Sequence, residues 1–94
     1  MPFVRVVSFD GVSKDRVEEI KREMQGGEQP EGVPATEVLM LHDPDADKAV
    51  VVLFFDTEDD YARGDGTLNA MPAGDTPGRR TSVAKYEVVA RRAM

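Results

Sequence analysis

The longest apolar run in the chain lies near its middle. It reads Ala49-Val50-Val51-Val52-Leu53-Phe54-Phe55. The run is too short to cross a bilayer, and its β-branched and aromatic residues favour a strand over a helix. Successive side chains of a strand point to opposite faces, so this strand is apolar on both faces. Because the helices of a small domain cover one face of a sheet, we expect the second face to be covered by another layer, most simply a second copy of the chain.

Three further strands are predicted, over residues 3–9, 36–41 and 81–90. The polar segment 42–48 predicts a hairpin that makes the second strand an antiparallel neighbour of the central one. Pro30 and Pro34 mark the preceding segment as a loop within one domain.

Two helices are predicted between these strands. Ser13 is a suitable N-cap for a helix that ends near Gln25, with an apolar stripe at helical spacing. Thr57, followed by three acidic residues, predicts the start of the second helix. Gly64 and Gly66 each cost about 1 kcal/mol in a helix interior, so we expect this helix to be kinked or split. The stripes are Val17, Ile20 and Met24 on the first helix and Tyr61, Leu68 and Met71 on the second.

The predicted order is β-α-β-β-α-β, which is typical of an α+β, ferredoxin-like fold with a four-stranded antiparallel sheet. Residues 1–94 are expected to form one such domain, with both helices on one side of the sheet. On the helix side we expect the small and branched residues Val4, Val6, Ala84, Tyr86 and Val88. On the opposite side we expect Phe3, Arg5, Val7, Phe9, Lys85 and Glu87.

Charge and composition exclude several classes of function. The chain has 18 acidic and 12 basic residues and a net charge of −6, which disfavours nucleic acid and anionic membranes as partners. A basic cluster near the C-terminus is the one feature that favours such a partner. The absence of cysteine excludes disulfides and thiolate chemistry. We expect a cytoplasmic protein that spans no membrane. The basic residues are Arg79, Arg80, Lys85, Arg91 and Arg92.

The chain resembles the dimeric α+β barrel superfamily, whose best-known branch is the antibiotic biosynthesis monooxygenase-like proteins, and it is most similar to small bacterial members without an assigned activity. The resemblance spans nearly the whole chain and implies that two sheets face each other across a homodimer, with the helices outside. It is carried by Phe3-Val4-Arg5-Val6-Val7-Ser8-Phe9-Asp10-Gly11, by Leu41-His42-Asp43-Pro44-Asp45, by Phe55-Asp56-Thr57-Glu58-Asp59 and by Arg80-Thr81-Ser82-Val83-Ala84-Lys85-Tyr86-Glu87-Val88. The chain departs from the catalytic members in having no Trp and one Asn, so the resemblance supplies no catalytic residue.

The candidate ligand-binding residues are Arg5, His42, Tyr61, Tyr86 and Glu87. Arg5 could bind an anion inside a barrel, although an ion pair with Glu87 at a dimer seam is the simpler interpretation. His42 could be a haem ligand or a general base, or a histidine at the end of a strand beside a solvated turn. The tyrosines could donate a hydrogen bond into a cleft between helices and sheet, or pack in the core.

Two short patterns have simpler explanations. Asp43, Asp45 and Asp47 alternate like calcium ligands but lack the glycine and the terminal glutamate of an EF-hand, so a polar hairpin is expected and no metal. Arg63-Gly64-Asp65 matches an adhesion tripeptide, but three-residue matches are common by chance.

The sequence therefore predicts a homodimer that binds a small organic molecule, either in a barrel or in a cleft between helices and sheet, without a cofactor. Two alternatives remain: a monooxygenase-like enzyme, and a structural or interaction dimer whose barrel is filled by its own side chains.

Overall fold

The computed structural model of the protein describes residues 2–26, 32–70 and 77–93. The strands and helices alternate in the predicted order, and the sheet is antiparallel with the strand order β2-β3-β1-β4. The α+β class and the ferredoxin-like order are therefore confirmed. The elements are β1 (Phe3–Asp10), α1 (Lys14–Gln25), β2 (Glu37–Asp43), β3 (Lys48–Phe55), α2 (Glu58–Asn69) and β4 (Arg79–Glu87).

Both helices begin at the predicted caps. The Ser13 hydroxyl accepts a hydrogen bond from the backbone N–H of Arg16 at 3.2 Å, and the Thr57 hydroxyl accepts one from that of Asp60 at 3.1 Å. Each hydroxyl satisfies an N–H group that has no partner within its helix. The expected split of α2 was wrong, because one helix runs from Glu58 to Asn69 through both of its glycines.

Several boundaries differ from the prediction. β2 continues through His42 to Asp43, and β4 begins at Arg79 and ends at Glu87. In β2 the extension follows from pairing, because His42 lies opposite Ala49 and Asp43 opposite Lys48. Two residues on which sequence predictions were made, Pro30 and Met71, lie outside the described residues.

The helices cover the opposite face of the sheet from the one that was predicted. Phe3, Arg5, Val7 and Phe9 of β1 lie beneath the helices, together with the Phe55 side of β3. Val4, Val6, Ala84 and Tyr86 lie on the opposite side, which we call the open face. Alternation alone cannot decide which face the helices cover. The assignment depends on α2, which places Gly64 against the Phe55 ring and Asp65 beside Arg5.

The core between helices and sheet consists of two clusters. The first joins the β1 residues Val7 and Phe9 to Val12 and Ala49, with Val17 of α1 and Met40 of β2 packed against it. The second surrounds the fully buried Phe55 and extends to Tyr61, Val33 and Leu68. α2 contributes two buried residues to this core, whereas α1 contributes none. α1 is therefore the more loosely attached helix.

The segment that follows β4 crosses one end of the open face. The backbone N–H of Val88 donates to the carbonyl of Pro2 at 2.8 Å. Further on, the Arg91 guanidinium lies 5.1 Å from the centre of the Phe54 ring and 3.0 Å from the carboxylate of Glu37. Since Glu37 and Phe54 are paired on β2 and β3, the segment spans the sheet from its β4 edge to its β2 edge.

Neither helix in the described part of the chain is both long and apolar enough to cross a membrane.

Candidate functional site

The five candidate residues lie in three separate places. His42 lines a cleft between α1 and β2. Arg5 lies beneath α2, close to Tyr61 of that helix. Tyr86 and Glu87 end β4 on opposite faces, since they pair with Val4 and Phe3 of β1. The fold therefore does not bring the five candidates into one site.

The cleft between α1 and β2 has a volume of about 310 Å³. It lies on the helix side of the sheet at the β2 edge, and it exists because α1 packs on the sheet without burying any of its own residues. The lining combines three apolar side chains with three polar ones. These are Val17, Lys21, Met24 and Gln25 from α1 and Met40 and His42 from β2.

His42 is half-buried and is fixed by one hydrogen bond. Its Nε2 atom lies 2.9 Å from the carbonyl oxygen of Val12. Because a carbonyl oxygen can only accept, Nε2 carries the proton in this bond, and in the neutral imidazole Nδ1 is then a hydrogen-bond acceptor. Nδ1 has no partner among the described residues.

The other two polar groups of the cleft, the Lys21 ammonium and the Gln25 amide, also lack a hydrogen bond or ion pair within the described ranges. For Lys21 this is notable in a chain with six more acidic than basic residues. The sequence analysis missed Lys21, but its position gave a signal. Val17, Lys21 and Met24 are spaced i, i+4 and i+7, so the lysine lies on the apolar stripe of α1.

Arg5 is the centre of a polar network beneath α2, with an exposed fraction of 3 %. Its Nε donates to Asp65 Oδ1 at 2.8 Å, and its Nη2 donates to Asn69 Oδ1 at 3.0 Å. Arg80 donates to the same Asn69 oxygen at 3.0 Å, and the Asn69 amide donates to Asp65 at 3.3 Å. The predicted ion pair between Arg5 and Glu87 was wrong. A buried guanidinium needs a carboxylate within reach, and α2 supplies Asp65.

Tyr61 packs edge-on against Phe55, with ring centres 5.5 Å apart. Lys85 Nζ lies 5.0 Å from the centre of the Tyr61 ring and 3.0 Å from a Glu58 oxygen. Burial, followed by the nearby Asp65 carboxylate, raises the pKa of Tyr61 above 10.0, against the opposing effect of Arg5 and Lys85. The phenol is therefore held in its neutral form, as expected of a core tyrosine.

The remaining candidates do not converge on a site. Tyr86 is 58 % exposed on the open face, and Glu87 is exposed at the end of β4. The C-terminal basic cluster is dispersed, because three of its members pair with carboxylates on different elements. The pairs are Arg79 with Asp10, Lys85 with Glu58 and Arg91 with Glu37.

The aspartates between β2 and β3 form a turn. Asp43 Oδ1 accepts hydrogen bonds from the backbone N–H groups of Asp45 and Ala46, at 3.0 and 3.3 Å. This is the local bonding that favours aspartate in turns. Across residues 2–26, 32–70 and 77–93, no group of three or more acidic or histidine side chains is placed to hold a metal ion.

Comparison of the chain with protein-family models, with curated proteins and with solved structures found no match.

Proposed function

We propose that the protein binds a small organic molecule in the cleft between α1 and β2. The observation that carries the proposal is a cleft of about 310 Å³ in which apolar side chains lie beside His42 Nδ1, the Lys21 ammonium and the Gln25 amide, none of which has a hydrogen-bond partner among the described residues. Known small-molecule sites start at about 300 Å³ and combine an apolar lining with a few orienting polar groups. The cleft satisfies both criteria.

The loose attachment of α1 supports the proposal. Because α1 buries none of its residues, a small displacement of the helix opens the cleft at little cost in core packing. A ligand would in turn cover Met24, which is 38 % exposed.

The test measures the binding of a dye before and after a residue of α1 is replaced by a larger one that fills the cleft. The fluorescence of N-phenyl-1-naphthylamine, a neutral apolar dye, should rise on mixing with the wild-type protein. In Val17→Phe the larger side chain occupies the cleft, so the increase should be largely lost. Ile20→Phe is the matched control, because Ile20 is a half-buried residue of the same helix that does not line the cleft. Equal fluorescence in all three proteins, or no increase in any, would refute the proposal.

We further propose that the open face is covered by a second copy of the chain, giving the dimeric α+β barrel that the sequence resembles. Three large residues of this face are 42–58 % exposed, and four others are half-buried. The exposed residues are Leu39, Leu41 and Tyr86, and the half-buried ones are Val6, Val50, Val52 and Phe54.

Charge and size support a second copy as the occupant. The open-face side of β2 carries two carboxylates, of which Glu37 is paired with Arg91 and Asp43 lies at the end of the strand and accepts the hydrogen bonds of the turn, so two copies can meet there despite a net charge of −6 each. Four strands about 4.8 Å apart and about 26 Å long give a planar area of about 500 Å², before the relief of the side chains is counted. A typical stable interface buries about 800 Å² per partner, so the expected dimer is a modest one.

Sedimentation velocity with matched charge insertions tests the dimer. Leu39 on the open face is 42 % exposed and Val83 on the helix side of β4 is 39 % exposed, so a glutamate at either position costs the isolated subunit about the same. Wild type and Val83→Glu should sediment as dimers, and Leu39→Glu as a monomer. A monomeric wild type, or a dimer that survives Leu39→Glu, would contradict the proposal.

A further inference from the structure

We infer that the ligand of the cleft is an aromatic carboxylate whose ring also carries a hydroxyl group. This inference rests on the proposed function and specifies the ligand class. The three features of the ligand correspond to three parts of the cleft: the Lys21 ammonium, the thioethers of Met24 and Met40, and Nδ1 of His42.

The charge of the ligand follows from Lys21. The carboxylates of α1 do not line the cleft, and Glu18, three residues before Lys21, forms no ion pair with it. Arg63, by contrast, has an acidic partner, because its Nη2 atom lies 2.9 Å from Asp60 Oδ1. Lys21 is therefore the one ammonium, guanidinium or carboxylate group among the described residues that line the cleft, and it favours a ligand with one negative charge.

The aromatic ring follows from the two methionines. Met24 contributes a thioether from the α1 wall and Met40 contributes one from the β2 wall. Thioether sulfurs make favourable contacts with the edges of aromatic rings, and the flexible side chains adapt to the shape of the ring. Val17 completes the apolar lining beside them.

The hydroxyl group follows from His42. Since Nε2 donates to the Val12 carbonyl, the neutral ring presents a lone pair at Nδ1 and can accept a hydrogen bond from a donor group of the ligand. A carboxylate alone cannot supply one. A phenolic hydroxyl can donate to Nδ1 while the carboxylate pairs with Lys21, so the two polar residues together select a hydroxyaromatic acid over a simple one.

The test is a titration of the full chain with four small probes, followed by amide NMR shifts. The probes are 4-hydroxybenzoate, benzoate, neutral 4-hydroxybenzamide and cationic tyramine. 4-Hydroxybenzoate should shift the amides around Val17, Met24 and Met40 at the lowest concentration. Benzoate should bind more weakly in the wild type, and His42→Phe should remove this difference because the acceptor is lost.

Lys21→Met should weaken 4-hydroxybenzoate binding about twofold to fivefold, the range of a solvent-exposed ion pair. Lys14→Met is the matched control, because it removes the same charge from the same helix outside the cleft. An equal loss in both variants would show a general charge effect and overturn the inference.

The outcomes separate this inference from the proposed function. If 4-hydroxybenzamide or tyramine shifts the same residues at concentrations as low as 4-hydroxybenzoate does, the inferred ligand class is wrong, while the cleft remains a binding site. If no probe shifts the cleft residues and the neutral dye also fails to bind, both proposals are wrong.

Discussion

Gly64 and Gly66 lie two residues apart in α2, and the structure predicts opposite effects when each is replaced by alanine. A Cβ atom at Gly64 would lie 2.5 and 2.7 Å from two carbons of the Phe55 ring, whereas one at Gly66 would have nothing within 4 Å. Both variants gain the same helix propensity. They therefore isolate the cost of the close packing between α2 and the sheet.

The magnitude follows from these distances. Carbon atoms pack best at about 3.5–4.0 Å, so the new methyl group at Gly64 overlaps the ring by about 1 Å. Phe55 is fully buried and held edge-on by Tyr61, so the ring has no free space into which to move. Overpacking of this kind costs about 1–3 kcal/mol, against about 1 kcal/mol gained from helix propensity. We expect Gly64→Ala to lose up to about 2 kcal/mol of unfolding free energy and Gly66→Ala to gain up to about 1 kcal/mol.

Urea denaturation followed by circular dichroism measures both values. For a chain of this size the slope is about 1 kcal/mol per molar urea, so the two midpoints should differ by about 2 M. Parallel slopes are required for the comparison to report stability alone. If Gly64→Ala proved as stable as Gly66→Ala, the close packing of α2 on Phe55 would be wrong.

Two further predictions concern charged and titratable groups of the core. Asp65→Ala should lower the unfolding free energy by about 2–3 kcal/mol, because it leaves the Arg5 guanidinium buried without its carboxylate. This value is smaller than for a fully buried pair, because the Asp65 side chain is 32 % exposed. Arg5→Met should cost less, and urea midpoints in the reverse order would contradict the buried pair. The second prediction concerns the difference in unfolding free energy between the wild type and Tyr61→Phe. This difference should be constant below about pH 9 and should fall as the pH rises past 10 through the raised pKa of Tyr61. It falls because the tyrosine ionises at a lower pH in the unfolded state than in the folded state. A tyrosinate absorbance titration of Tyr86→Phe should then place Tyr61 above 10.0, and a midpoint below that value would refute the burial argument.

The site was less predictable than the elements that form it. His42 was recognised because it is the single histidine, but its partner Val12 lies 30 residues away and offers only a backbone carbonyl, which no side-chain pattern reveals. Lys21 lies on the apolar stripe of α1, but it lines the cleft only because α1 lies across β2. Asp65 and Asn69 lie 60 and 64 positions from Arg5 along the chain, so their pairing required the folded helix.

What the sequence determined by itself is the set of local structures. Ser13 and Thr57 begin the helices, alternation defines the strands, and the aspartates close the hairpin, because each of these depends on residues a few positions apart. Tertiary structure decided which face of the sheet the helices cover. Both faces of β3 are apolar, so the choice between them depended on how α2 fits Gly64 onto Phe55 and Asp65 beside Arg5. These are contacts between distant segments, and their energies exist only once the chain has folded.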